Sequence, residues 1–200
     1  DKERELPNME LKQFFDNEFE EHVTVAAETQ KDLYKPFEQL VSAATNSIQG
    51  GGKILLFGNG GSAADCQHLA TELTIRYKAD RDPIAAIALT TDTSALMAGG
   101  NDIGFENIFA RQVTALIKPG DLAIGISTSG NSDNVILGLK QAQKMGALAA
   151  GLGGKDGGKM ALVADPYLLV PSDTTARIQE MHITLGQMLC GALEIKLGLV

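Results

Sequence analysis

After Gly50-Gly51-Gly52 the chain changes period, and no other feature limits its fold as strongly. Apolar runs at 53–57, 84–89, 122–126, 148–152 and 167–170 are each of strand length. Helix-length stretches lie between them at 62–77, at 92–117 in two pieces, at 131–145 and, shorter, near 158–163, and a closing helix begins at about Thr174. Strands that are apolar throughout need cover on both faces, and strands that alternate with helices are joined by crossovers. The pattern therefore predicts an α/β fold: a doubly wound, five-stranded parallel sheet flanked by helices. Ahead of it, 10–29 and 33–49 read as a helical hairpin. Phe14, Phe15, Phe19, Val23, Val25 and Ala26, then Phe37, Leu40, Val41, Ala44 and Ile48, recur there at helical spacing, with Pro36 in the first turn of the second helix.

Two hundred residues, 44% of them hydrophobic, suffice for one domain with a substantial core. Residues 10–200 read as that domain, without repeats, low-complexity segments or a linker, and 1–9 as a frayed or added end without function. A net charge of -8 argues against a nucleic-acid partner, which requires a basic stripe to displace counterions. No charged leader precedes an apolar stretch, and no run approaches the ~20 apolar residues of a membrane span. The expectation is a soluble cytoplasmic protein without a membrane partner. Cys66 and Cys190 are too few and too far apart for a disulfide framework or a cysteine zinc site, and read as reduced packing residues.

The turn Gly58-Asn59-Gly60-Gly61-Ser62-Ala63 matches the G-x-G-x-x-A dinucleotide fingerprint and stands between a strand and a helix. That fingerprint also needs an acidic residue about 20 positions on, at the end of the second strand. Here that strand runs into Thr90-Thr91, and Asp92 comes too late. A second loop, "GISTSGNSDN" at 125–134, decides between the readings. Ser127, Thr128, Ser129 and Ser132 surround one glycine where the third strand gives way to a helix. Capping accounts for one or two such residues. Four hydroxyls beside a helix N-terminus, at the strand edge where open parallel sheets bind ligands, favour a compact dianion such as a phosphate. "GGKDGGK" at 153–159 lacks a Ser or Thr after its lysine and reads as a turn.

With GNGGS at 58–62, H-x-x-x-E at 68–72, GND at 100–102, ISTSGNS at 126–132 and RIQEMH at 177–182, the chain from about residue 10 onward resembles the sedoheptulose 7-phosphate isomerases. These are members of the sugar isomerase, or SIS, family, with a flavodoxin-like fold. The resemblance implies an aldose–ketose isomerase of lipopolysaccharide heptose synthesis, a homotetramer with active sites shared between subunits, and a zinc ion in each. It makes Asn59, Gly60, Gly61 and Ser62 substrate contacts, and Ser127, Thr128, Ser129 and Ser132 the phosphate cradle. Asn101, Asp102 and Gln179 contact the sugar, and Glu72 is the base that moves the proton between C1 and C2. His68, Glu72 and Gln179 match metal-ligand positions. Independently of the resemblance, His68 and Glu72 lie four apart on one helix face and can reach one metal or one substrate. His182 reads as a packed histidine, and His22, next to Glu20 and Glu21, as a solvated one.

The family pattern breaks at Gln187, where the resemblance calls for a histidine that donates a proton and ligates the metal. An amide ligates weakly through its oxygen and does not exchange a proton near neutral pH. Substrate is then expected to bind with little turnover, and zinc to be held weakly or not at all. The alternative is a non-catalytic SIS scaffold that associates with a replication initiator, and the complete hydroxyl set of the serine loop argues against it. The apolar excess of the leading hairpin, more than one sheet edge needs, points to an oligomer core formed with the closing helix.

Overall fold

Successive strand residues face opposite sides of the sheet, so a strand apolar at every position must serve two cores. The computed structural model, which describes residues 10–200, bears this out; the reading of 1–9 lies outside the described residues. Strands β1 (Ile54–Gly58), β2 (Ala86–Ala88), β3 (Leu122–Ser127), β4 (Leu148–Gly153) and β5 (Tyr167–Leu169) form one parallel sheet in the order β2-β1-β3-β4-β5. The helices are α1 (Leu11–Asp32), α2 (Tyr34–Gln49), α3 (Gly61–Thr74), α4 (Thr93–Ile103), α5 (Ile108–Leu116), α6 (Asp133–Lys144) and α7 (Thr175–Lys196), with short 3-10 turns at Phe105–Asn107 and Gly158–Leu162.

One face of the sheet, including Ile54, Leu56, Ile124 and Ile126, packs against α2, α3 and α7 through Leu40, Leu69, Leu73 and Leu189. The other, including Leu55, Phe57 and Ala123, packs against α5 and α6 through Phe109, Val113, Val135 and Leu139. A Cβ on Gly138 would lie 2.8 Å from the Phe57 ring, so the missing side chain lets α6 approach β1. At the opposite end of the strands Asp121 accepts from the backbone N–H groups of Lys53 and Lys118 and from the Lys53 ammonium, tying β1 to β3. Cys66 and Cys190 are free and buried, as expected of packing residues.

Two elements leave apolar surface uncovered. Of α1 only Val25 and Thr29 are buried, and Leu11, Phe14, Phe15, Phe19 and Val23 are exposed. No residue of α4 is buried, and Met97 on it is 74% exposed. Among the described residues no helix is long and apolar enough to cross a membrane.

The sheet depends most on its centre, where Phe57 is fully buried and stacked on Phe109 at 5.3 Å between ring centroids. Phe57→Ala is expected to lower unfolding free energy by about 3–5 kcal/mol, the usual cost of emptying a buried aromatic site. Denaturant titration of the two proteins checks this, and a loss below ~1 kcal/mol would contradict the assignment of Phe57 to the core.

Candidate active site

The strand order reverses between β1 and β3: the chain leaves β1 for β2 on one side, and β3 lies on the other. The connections therefore diverge, and a crevice opens beyond the carboxyl ends of these two strands. The loops of both sequence motifs meet there. Gly58 is in register with Ile126, and the Asn59 and Asn134 side-chain amides exchange two hydrogen bonds of 2.8 Å across the gap. Asn134 Oδ1 also accepts from the Val135 N–H. Gly60, at φ 55° and ψ -123°, holds a backbone conformation that a side chain would strain, and it turns the chain directly into α3.

The N-termini of α3 and α6 thus both open on the crevice, each with a positive dipole end. Ser127 Oγ and Ser132 Oγ are 2.9 Å apart, and Ser129 Oγ accepts from the Asn131 N–H. Ser132 occupies the N-cap position of α6, yet its hydroxyl makes no capping bond. The Ser132 hydroxyl is therefore not consumed by capping and can serve a ligand. The loop at 153–159 is a turn, as expected, but it also supports the serine loop. A Cβ on Gly130 (φ 64°) would stand 2.0 Å from Gly157 O, and Met160 N–H donates to Gly130 O. His182 is fully buried and its Nε2 meets Gly153 O at 3.0 Å. Burial pushes its imidazole down to about 4, against the pull of that bond. It is a neutral packed histidine, as the sequence suggested.

From the crevice α3 runs beside α7 in the same direction. A Cβ on Gly61 would be 2.7 Å from Gln179 Nε2, and one on Gly186 would be 2.5 Å from Leu69. Gln187 Nε2 lies 3.1 Å from His68 Nε2, which is 3.0 Å from Glu72 Oε1. A single imidazole nitrogen either donates or accepts, so it satisfies one of these neighbours at a time. Three potential donors for a metal converge at this point, but they are one imidazole, one carboxylate and one amide. Gln179 is placed against Gly61 at the start of α3. Among the described residues no three His, Cys, Asp or Glu side chains are grouped to hold a metal. Zinc favours thiolate, imidazole and carboxylate, and the donors present are a poor match to it.

Asn101 and Asp102 are exposed on α4 and bonded to each other at 2.7 Å. Among the described residues no hydrogen bond joins either to the serine loop, α3 or α7. His22 departs from its expected solvation: its Nδ1 lies 2.8 Å from Glu180 Oε2, because α1 packs on the first turns of α7. There Arg177 also binds Glu18 and Glu180. Burial alone would raise the Glu180 carboxyl, but the hydrogen bonds and charges of His22 and Arg177 hold it low. Sequence reasoning passed over Asn134, although it stands inside the serine motif, and the buried Arg81–Glu194 pair at the far end of the helix seam.

The comparisons agree with this geometry. Residues 17–154 match the family model described as SIS domain. The chain is 55% identical over 186 residues to a phosphoheptose isomerase of Paramagnetospirillum magneticum, covering 93% of this chain and 97% of that one. A phosphoheptose isomerase of Aquifex aeolicus is 58% identical over 160 residues, covering 78% and 84% respectively. Among solved structures, a phosphoheptose isomerase from Neisseria gonorrhoeae superposes with a TM-score of 0.87 at 44% identity, over 93% of this chain and all of that one. That from Francisella tularensis gives 0.90 at 33%, over 94% and 100%. With a shared SIS fold, a hydroxyl-lined crevice at the strand reversal and identity above half to named members, the chain belongs to the phosphoheptose isomerase family of SIS domain proteins.

Proposed function

We propose that the chain interconverts sedoheptulose 7-phosphate and D-glycero-D-manno-heptose 7-phosphate, an aldose–ketose step of lipopolysaccharide heptose synthesis, through an enediol. The observation that carries this reading is the cluster of hydroxyls at the start of α6, beside the start of α3, with a carboxylate–imidazole pair farther along α3. From Gly61 to His68 the helix rises about 10 Å, a span that an extended seven-carbon sugar phosphate covers. Side chains lean toward the helix N-terminus, so Glu72 leans back toward the crevice.

In this reading Ser127, Thr128, Ser129 and Ser132 hold the phosphate, and Asn59, Gly60, Gly61, Ser62 and Gln179 hold the sugar. Fixing the phosphate end orients the far end, a contribution of several kcal/mol to the barrier. Glu72 takes the proton from C1 of the ketose, giving an enediolate; the O1 hydroxyl proton passes to O2, and Glu72 returns the carbon proton to C2, leaving the aldehyde at C1. Gln187 donates an N–H bond to a substrate oxygen but cannot pass a proton to it. Its replacement of histidine therefore falls on turnover more than on binding. The scaffold reading rests on Gln187 alone, and the complete hydroxyl set opposes it.

The exposed apolar faces of α1 and α4 support a homotetramer with shared sites. Asn101 and Asp102 on α4 would then face a neighbouring subunit's crevice, which accounts for their distance from their own.

Three measurements test these points. Following aldose formation from sedoheptulose 7-phosphate, Gln187→His is expected to raise kcat by about 10²–10⁴, the usual worth of a positioned acid–base group, with little change in KM. Equal turnover of both proteins would refute the role of position 187, and no conversion by either would refute the isomerase reading. Metal analysis of the purified chain should find zinc below one per subunit, rising in the histidine variant. Light scattering at micromolar concentration should give four times the chain mass, and a monomer would overturn the assembly.

A further inference from the structure

The C-terminal end of α3 is held by a buried ion pair that the proposed chemistry does not use. The side chains of Arg81 and Glu194 are 1% and 3% exposed, and Arg81 Nε donates to Glu194 Oε1 at 3.0 Å. Three more guanidinium hydrogens go to backbone: two from Nη1 to the carbonyls of Leu73 and Asp82, and one from Nη2 to that of Glu72. The last carbonyls of a helix lack partners within it and carry its negative dipole end, so a cation there satisfies both needs. Glu194, on the last turns of α7, also accepts from the Tyr77 N–H at 3.3 Å.

The pair therefore joins the backbone of Glu72 to α7 directly. Arg81 grips the carbonyl of the residue that supplies the base, and Glu194 lies seven positions beyond Gln187 on the same helix. Elsewhere along the seam Leu69 packs on Gly186 and Tyr77 on Gly191, and among the described residues a single polar contact, His68 with Gln187, joins exposed side chains. A guanidinium fork fixed by four hydrogen bonds resists sliding.

We infer that Arg81 and Glu194 are positioning residues: they set the register of α3 against α7, and with it the placement of the Glu72 carboxylate relative to Gln187 and the bound substrate. This rests on the isomerase reading, since it assigns Glu72 the proton transfer. The pair touches no substrate, and the phosphate cradle lies at the opposite end of α3. Its loss should misplace the base and leave anchoring intact.

The test uses the full chain, R81K and E194Q, which keep charge or shape. Nuclear magnetic resonance follows exchange of substrate C1 and C2 hydrogens for deuterium in heavy water, which reports proton abstraction without complete turnover. Calorimetry gives the affinity for sedoheptulose 7-phosphate and the temperature range in which each variant is folded. Each variant should exchange about tenfold to a hundredfold more slowly, with affinity held within about twofold, because a small misplacement of a catalytic group costs rate and not ground-state binding. Undiminished exchange would overturn the inference. So would a parallel loss of exchange and affinity, or unfolding of both variants, since either marks a purely structural pair. Absence of exchange in the unmodified chain would instead overturn the isomerase reading on which the inference stands.

Discussion

The reversal of strand order between β1 and β3 is the constraint on which the rest of this molecule depends. Right-handed crossovers carry the chain away from these neighbours in opposite directions, so nothing in the fold can cover the space beyond their carboxyl ends. Both glycine turns must end there, and both helices that follow must begin there. The paired amides of Asn59 and Asn134 close the base of the opening without filling it. A fold that buries most strand residues thus leaves an opening here, lined by backbone N–H groups and hydroxyls.

A second constraint is the parallel run of α3 beside α7. Antiparallel helices oppose their dipoles; parallel ones do not, and here the Leu69 side chain fills the space left by Gly186 and the Tyr77 ring that left by Gly191. Charge is managed at the ends, by Arg177 among Glu18, Glu21 and Glu180 at one and by Arg81 with Glu194 at the other. The polar residues between, His68, Glu72 and Gln187, remain neither fully buried nor fully solvated.

Periodicity made the elements legible because it reflects local sterics and burial. The run at 122–126 is β3 with one more residue, and 53–57 is β1 displaced by one. The run at 84–89 shortened to Ala86–Ala88 because this is an edge strand, and Ile84 N–H bonds to Leu73 O instead of to β1. Likewise the helix expected to reach 77 stops at Thr74, where Arg81 takes the carbonyls of Glu72 and Leu73. The serine loop was legible from composition, since four hydroxyls exceed what a cap requires. The Asn59–Asn134 tie, the Arg81–Glu194 pair and the partner of His22 were not. Each joins residues 75 or more positions apart, and no local pattern encodes such a meeting.

Those separations bear on the order in which the molecule becomes itself. His68 and Gln187 stand 119 positions apart, and Arg81 and Glu194 113. Closing loops of that length is entropically the most demanding part of folding, and contacts of this range are rewarded only after the sheet between them exists. Among the described residues the hydroxyl loop is held by bonds of shorter range, within itself and to the turn that follows β4, none of them to α7. A chain still folding can thus present an anion cradle before it has a seam for chemistry, and docking of the last helix is the step that joins the two.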